Sequence, residues 1–215
     1  MKLLHIIASP RSDRSRTLTL AAGFLTTLQN RYPGLEIEEL DLFGANLPEV
    51  TGGAVDAKYQ LLQGGGLNAE YQVRWNEIKS YANHFLSADL YLISAPMWNF
   101  SVPYKLKQYI DIIMQPGLLF RVGPVGLEGL ATNKKMFCIT TRGSDYSAGN
   151  FMQQFDFLEP YLRSIFGLAG ITDVSFINAQ PLDYDRKLTE AVLQKAAEEA
   201  HALALGCALA ATEAR

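Results

Sequence analysis

Short, nearly continuous apolar runs alternate along this chain with longer stretches whose apolar residues recur every three or four positions. The short runs suit strands buried on both faces of a sheet, and the longer stretches suit helices that cover it. Lys2 to Ala8 opens the series as a strand, apolar apart from His5. Its apolar run is too short and too soon followed by Arg11, Arg14 and Arg16 to read as a secretion signal. A helix is predicted from about Thr17 to Tyr32, with Leu18, Ala21, Ala22, Leu25 and Leu28 on one face and Pro33-Gly34 ending it. Leu35 to Leu42 alternates apolar and acidic residues, the pattern of a strand with one wetter face at a sheet edge. Phe43 to Asn68, broken by Gly52, Gly53 and the Gly64-Gly65-Gly66 triplet, reads as a long irregular segment.

The second half repeats the alternation. A helix over about Ala69 to Ser87 precedes a buried strand, Leu90 to Ile93, and a helix carrying Leu106, Tyr109, Ile110 and Ile113 on one stripe. Leu118 to Lys135 is a glycine-rich hairpin or loop, Met136 to Thr140 a buried strand, and Met152 to Phe166 a helix. A strand at Val174 to Ile177 and a helix from about Lys187 to Ala211 finish the chain. About five strand–helix units imply an α/β protein: a parallel sheet with helices on both faces, joined by right-handed crossovers. Residues 1–215 read as one domain, and five strands suggest the doubly wound, flavodoxin-like order.

Composition narrows the function classes. A net charge of −3 gives no basic stripe for nucleic acid. No apolar run reaches membrane-spanning length. The two cysteines, Cys138 and Cys207, form no Cys-x-x-Cys pair, so neither a disulfide framework nor a zinc site is expected, and a reducing cytoplasm fits. His5, His84 and His201 are too scattered for a metal site.

In the flavodoxin-like order, strands one, three and four are neighbours, and ligands bind beyond their carboxyl ends. The loops leaving those ends are Ser9 to Thr17, Pro96 to Phe100 and Thr141 to Ser144. The first carries Ser9, Ser12, Ser15 and Thr17 and opens into a helix, whose free N–H groups and dipole favour a phosphate. One hydroxyl would suffice as a helix cap; four in nine positions favour the anion. The second loop gathers Met97, Trp98, Asn99 and Phe100, a set suited to a flat conjugated ring, although aromatics folded back onto a core would explain it equally well. The third, Thr141-Arg142-Gly143-Ser144, offers backbone donors with a glycine for close approach, or is a plain strand exit. Gly123, Gly126 and Gly129 follow no strand and open no helix, so there is no dinucleotide fingerprint, and no phosphate-binding P-loop or Cys-x₅-Arg loop exists. A mononucleotide with a flat ring remains, and FMN fits that description.

Ser9, Ser15 and Thr17, the stretch Ala95-Pro-Met-Trp-Asn-Phe100, and Thr141-Arg-Gly-Ser144 together resemble the family of FMN-dependent NADH azoreductases and NADH:quinone oxidoreductases. Phe120-Arg121 and Gly170 to Val174 match family stretches in the same order, so the resemblance spans nearly the whole chain. Two positions depart from the family habit: Trp98 stands where tyrosine is usual, and Ser144 where a second glycine is usual. Pro10 also removes one N–H from the phosphate loop. The resemblance implies a homodimer with its active site at the subunit interface. It implies ping-pong transfer, in which NADH or NADPH reduces FMN and the reduced flavin reduces a quinone or an azo compound. Ser9, Ser15, Arg16 and Thr17 would hold the phosphate; Met97, Trp98, Asn99, Phe100, Thr141, Arg142, Gly143 and Ser144 would line the ring. Asn99, Gly143 and Phe120 would act at the reacting face, with Phe120 covering the flavin from the same or the partner subunit. The competing expectation is an electron carrier or FMN-binding regulator of the same fold without turnover.

Overall fold

The computed structural model describes residues 1–62 and 69–208. Its centre is a five-stranded parallel sheet of β1 (Lys2–Ile7), β2 (Glu36–Asp41), β3 (Leu90–Pro96), β6 (Lys135–Thr141) and β7 (Asp173–Ala179), in the order β2-β1-β3-β6-β7. That is the expected doubly wound order, with β2 at one edge as its acidic alternation implied. Helix α1 (Arg16–Arg31) and α6 (Arg186–Gly206) cover one face. Helix α3 (Ala69–Leu86), α4 (Tyr104–Ile113) and α5 (Glu159–Leu168) cover the other.

The strand residues divide between the faces by their parity. Leu4, Ile6, Tyr91, Ile93, Met136 and Cys138 pack under α3, α4 and α5. Leu3, Leu90, Leu92, Phe137 and Ile139 pack under α1 and α6. Phe85 of α3 stacks on Tyr91 at 4.2 Å between ring centres and faces Phe166 of α5 at 5.8 Å, which fixes both helices on the sheet. On the other face Phe24 of α1 meets Phe137 at 4.9 Å. His5 lies within the sheet, 4% exposed, its Nε2 2.8 Å from Ser94 Oγ, and burial pushes its imidazole pKa down. Among the described residues no helix is long and apolar enough to cross a membrane.

Three expectations change. Gly52–Leu62 is a helix, α2, packed against α3 rather than irregular chain; the glycine triplet of the same segment lies outside the described residues. The helix expected over Met152 to Phe166 is two pieces, a short 3-10 helix at Phe151–Phe155 and α5. Asp156 separates them: its Oδ1 accepts from the N–H groups of Leu158 and Glu159, so the chain restarts there, with Pro160 in the first turn of α5. Helix α6 stops at Gly206, where the Cys207 carbonyl accepts from Tyr32 Oη at 2.7 Å.

The glycine-rich excursion is an antiparallel hairpin of β4 (Phe120–Gly123) and β5 (Gly126–Gly129). Its base lies so close to the end of α5 that a Cβ on Gly129 would stand 2.2 Å from the backbone nitrogen of Gly170. Gly129→Ala is therefore expected to lower the unfolding free energy by about 1–3 kcal/mol, through forced separation of two backbones. A urea midpoint that falls at unchanged slope would show it.

Candidate active site

The ladder of hydrogen bonds runs on past the carboxyl ends of the central strands. Ala8 N–H donates to Ser94 O at 2.9 Å, Met97 N–H to Thr141 O at 2.9 Å, and Arg142 N–H to Ala179 O at 3.0 Å. These bonds hold the three predicted loops beside one another.

Ser9, Ser15 and Thr17 are all buried. Ser15 caps α1, its side chain accepting from Leu18 N–H at 3.3 Å, as its position before the helix predicts. Ser9 Oγ donates to Ser15 Oγ at 2.8 Å, and Thr17 Oγ1 lies 2.7 Å from Thr141 Oγ1. The last pair joins the first loop to the third across the sheet. The hydroxyls thus sit at a helix N-terminus, where the leading N–H groups have no partner inside the helix.

A cleft of about 270 Å³ opens on these hydroxyls. Met97 and Trp98 form its second wall. Gly143, Leu182 and Asp183 form the third. A Cβ on Gly143 would lie 2.3 Å from Asp183 Oδ2, and the Gly143 carbonyl accepts from Asp183 N–H at 3.0 Å. A side chain at this position would have to displace the Asp183 carboxylate. Arg16 Nη1 donates to the Leu182 carbonyl at 3.3 Å, tying α1 to the same segment.

The second loop turns on two left-handed residues. Asn99 has φ +47° and Phe100 φ +72°, and Trp98 and Ser101 exchange both backbone hydrogen bonds at 2.9 Å. Left-handed backbone costs a residue with a Cβ roughly 1–2 kcal/mol, so the surroundings must impose it. Phe157 N–H does so in part, donating to the Phe100 carbonyl at 2.9 Å. Trp98 is clamped by Phe43 at 5.9 Å and Tyr104 at 6.3 Å between ring centres.

Beyond Trp98 lies a larger hollow of about 1090 Å³. Asn99, Val102, Tyr104, Phe157 and Tyr161 are among its walls, and Trp98 borders both hollows. Burial pushes the Tyr161 phenol up to about 12, so at neutral pH it keeps its proton and can donate a hydrogen bond.

The predicted residues therefore fall into groups. Ser9, Ser15, Arg16, Thr17, Met97, Thr141, Arg142 and Gly143 share the smaller cleft with Trp98, and Asn99 faces the larger hollow. Phe100, Phe120 and Ser144 border neither. Phe120 belongs to the hairpin and packs partly against the core of its own chain. Arg142 lines the cleft and has a structural task besides. Its guanidinium is buried and bonded to Asp156 Oδ2 at 2.7 Å, Asn178 Oδ1 at 3.0 Å and Thr140 Oγ1 at 3.1 Å. With its charge matched by Asp156, and by Glu159 Oε2 3.6 Å away, Arg142 also holds its loop in place. Leu182 and Asp183 were missed in the sequence. The signal was their position after the last strand, a fourth loop leaving the same end of the sheet.

A family model described as flavodoxin-like fold matches residues 1–204. The FMN-dependent NADH:quinone oxidoreductase of Nitratidesulfovibrio vulgaris is 38% identical over 204 residues, covering 94% of this chain and 98% of the relative. The chain belongs to this family. The protein of the same name from Desulfotalea psychrophila is 40% identical, covering 94% of this chain and 96% of the relative. Among solved structures, an azoreductase from Bacillus anthracis superposes with a TM-score of 0.87 at 26% identity, covering 95% of this chain and 98% of that one. An FMN-dependent NADH-azoreductase from the same species, solved in complex with FMN, superposes with a TM-score of 0.82 at 26% identity, covering 95% and 100%.

Removing one partner of a buried ion pair leaves the other charge unsatisfied. With Glu159 still beside Arg142, Asp156→Ala should destabilise the fold by about 3 kcal/mol, and the paired replacement Arg142→Met with Asp156→Leu should recover the ion-pair part of that loss but not the hydrogen bonds at the start of α5. Urea unfolding of the three variants checks this, and equal destabilisation by single and double changes would contradict it.

Proposed function

We propose that the chain binds FMN in the smaller cleft and uses NADH to reduce quinones and azo compounds that enter the larger hollow. The carrying observation is the 2.7 Å contact of Thr17 and Thr141 hydroxyls at the start of α1, one wall away from Trp98. A phosphate fits there: hydroxyl donors, a helix N-terminus and the Arg16 side chain meet at one end of the cleft. The flat ring fits between Met97, Trp98 and the backbone of Gly143, a position kept free of any Cβ.

FMN, when bound, supplies the two-electron chemistry that no side chain here can perform. The chain's own residues bind, orient and shield. Ser9, Ser15 and Thr17 hold the phosphate, Gly143 allows close backbone approach, and Trp98 sets the edge of the ring. Asn99 presents its amide to whatever occupies the larger hollow, and Tyr161 offers a protonated phenol there. Donor and acceptor share that one hollow beside Trp98, so they bind in turn, which is the ping-pong order. The open hollow of about 1090 Å³ favours turnover of a small aromatic substrate over simple electron carriage.

The working unit we propose is a homodimer. Val122, Val125 and Leu127 of the hairpin are exposed, at 73%, 95% and 58%. Burying them on a second copy would bring Phe120 towards the partner's flavin, the role it cannot fill within one chain. Cys138 and Cys207 are free and buried, in keeping with a reducing cytoplasm.

The purified protein should be yellow, bleach when mixed with NADH under nitrogen, and recover its colour on adding a quinone. Protein that stays colourless after FMN is added would overturn the proposal. Thr17→Val should weaken FMN binding about tenfold or more, as expected for losing one hydrogen bond to a charged group; fluorescence titration of FMN measures this. Asn99→Ala should slow the NADH-dependent bleaching in stopped flow while leaving the fold intact.

A further inference from the structure

The larger hollow is apolar along its walls and charged at its mouth. Val50, Val102, Phe157 and Tyr161 supply apolar wall, and its charged groups are Glu49, Lys107 and Asp111. Lys107 and Asp111 stand one turn apart on α4, with Lys107 Nζ 2.7 Å from both carboxylate oxygens of Asp111. Among the described residues, the one cation lining the hollow is therefore matched by its own helix neighbour. The charge left over is the Glu49 carboxylate.

We propose that this mouth selects uncharged aromatic acceptors over anionic ones, with Glu49 and Asp111 as the specificity-determining residues; the proposal rests on the hollow being the acceptor site. A sulfonated or carboxylated quinone or azo compound must bring its anion past Glu49 and the Asp111 carboxylate. Lys107 cannot turn to meet the anion without leaving Asp111. Two unit charges about 4 Å apart in water alter an equilibrium about fivefold, and more where walls exclude water. An uncharged ring of the same size meets only the apolar wall and the Tyr161 phenol.

The pair 1,4-naphthoquinone and its 2-sulfonate isolates this effect. Binding to the oxidised, FMN-loaded protein is read by quenching of tryptophan fluorescence, before NADH is added, and then kcat/KM is measured with NADH. Asp111→Asn frees Lys107 and should tighten the sulfonate about fivefold relative to the uncharged quinone. Lys107→Met leaves Asp111 unmatched and should weaken the sulfonate by a similar factor. Glu49→Gln, on an exposed loop outside α4, should tighten it and guards against misfolding of the α4 variants. All three changes should shrink in 1 M salt, where the Debye length is about 3 Å. Asp111→Asn and Lys107→Met shifting the sulfonate in the same direction, no shift in any of the three variants, or shifts that are equal at high salt, would overturn the proposal while leaving the catalytic reading intact. Failure of both quinones to bind or to turn over would instead remove the acceptor site itself.

Discussion

A guanidinium sealed inside the protein organises the functional end of this sheet. Arg142 leaves the last residue of β6 and turns inward, 2% exposed, where an unmatched charge would be intolerable. Its matching anions are Asp156 at 2.7 Å and Glu159 at 3.6 Å, and it donates also to Thr140 and Asn178. These partners come from β6, β7, the segment before α5 and α5 itself, so the pairing fixes three elements at once. Asp156 has a second duty, for its other oxygen caps the start of α5. The helix that hydrophobic spacing alone would run through Asp156 must break there. The break sends Phe157 and Tyr161 to the wall of the larger hollow and lets Phe157 N–H grip the turn at Phe100.

That grip explains why the turn after β3 tolerates two left-handed residues with side chains. Asparagine adopts such backbone more readily than most, but phenylalanine does not. Phe100 is held by its carbonyl bond to Phe157 and by its ring against Phe155 at 5.4 Å. Phe100 is thus a fastening of the site rather than one of its walls. The ion pair, the broken helix and the strained turn form one mechanical unit, placing Asn99 at the rim of the larger hollow.

Much of this was legible in the sequence because it depended on local rules. The strand–helix alternation predicted the parallel sheet, the acidic alternation of Glu36 to Asp41 predicted an edge, and Ser15 predicted a helix cap. Strand order then brought the three polar loops to one edge. What stayed hidden depended on partners far apart in sequence. Arg142 lines the cleft from its polar loop, but nothing nearby in sequence shows that Asp156 and Asn178 hold its guanidinium. Gly143 reads as an invitation to a ligand, yet its nearest neighbour is Asp183, 40 positions later. The glycines at 52 and 53 suggested irregular chain, and packing against α3 overrode that weak propensity.

Trp98 sits where these constraints meet. It ends the ladder from β3, borders the cleft assigned to the cofactor, and borders the hollow assigned to substrates. An indole there covers more area than a phenol would and offers only a donor. It is not free to swing, because Phe43 and Tyr104 flank it and its backbone pairs with Ser101 in both directions. A rigid partition keeps the two hollows in fixed relation, so on the function proposed above, selection by charge at the outer hollow and binding of phosphate in the cleft could be set independently. Recognition would then divide between an acidic, apolar hollow and a cationic, hydroxyl-lined cleft, with one aromatic wall between them.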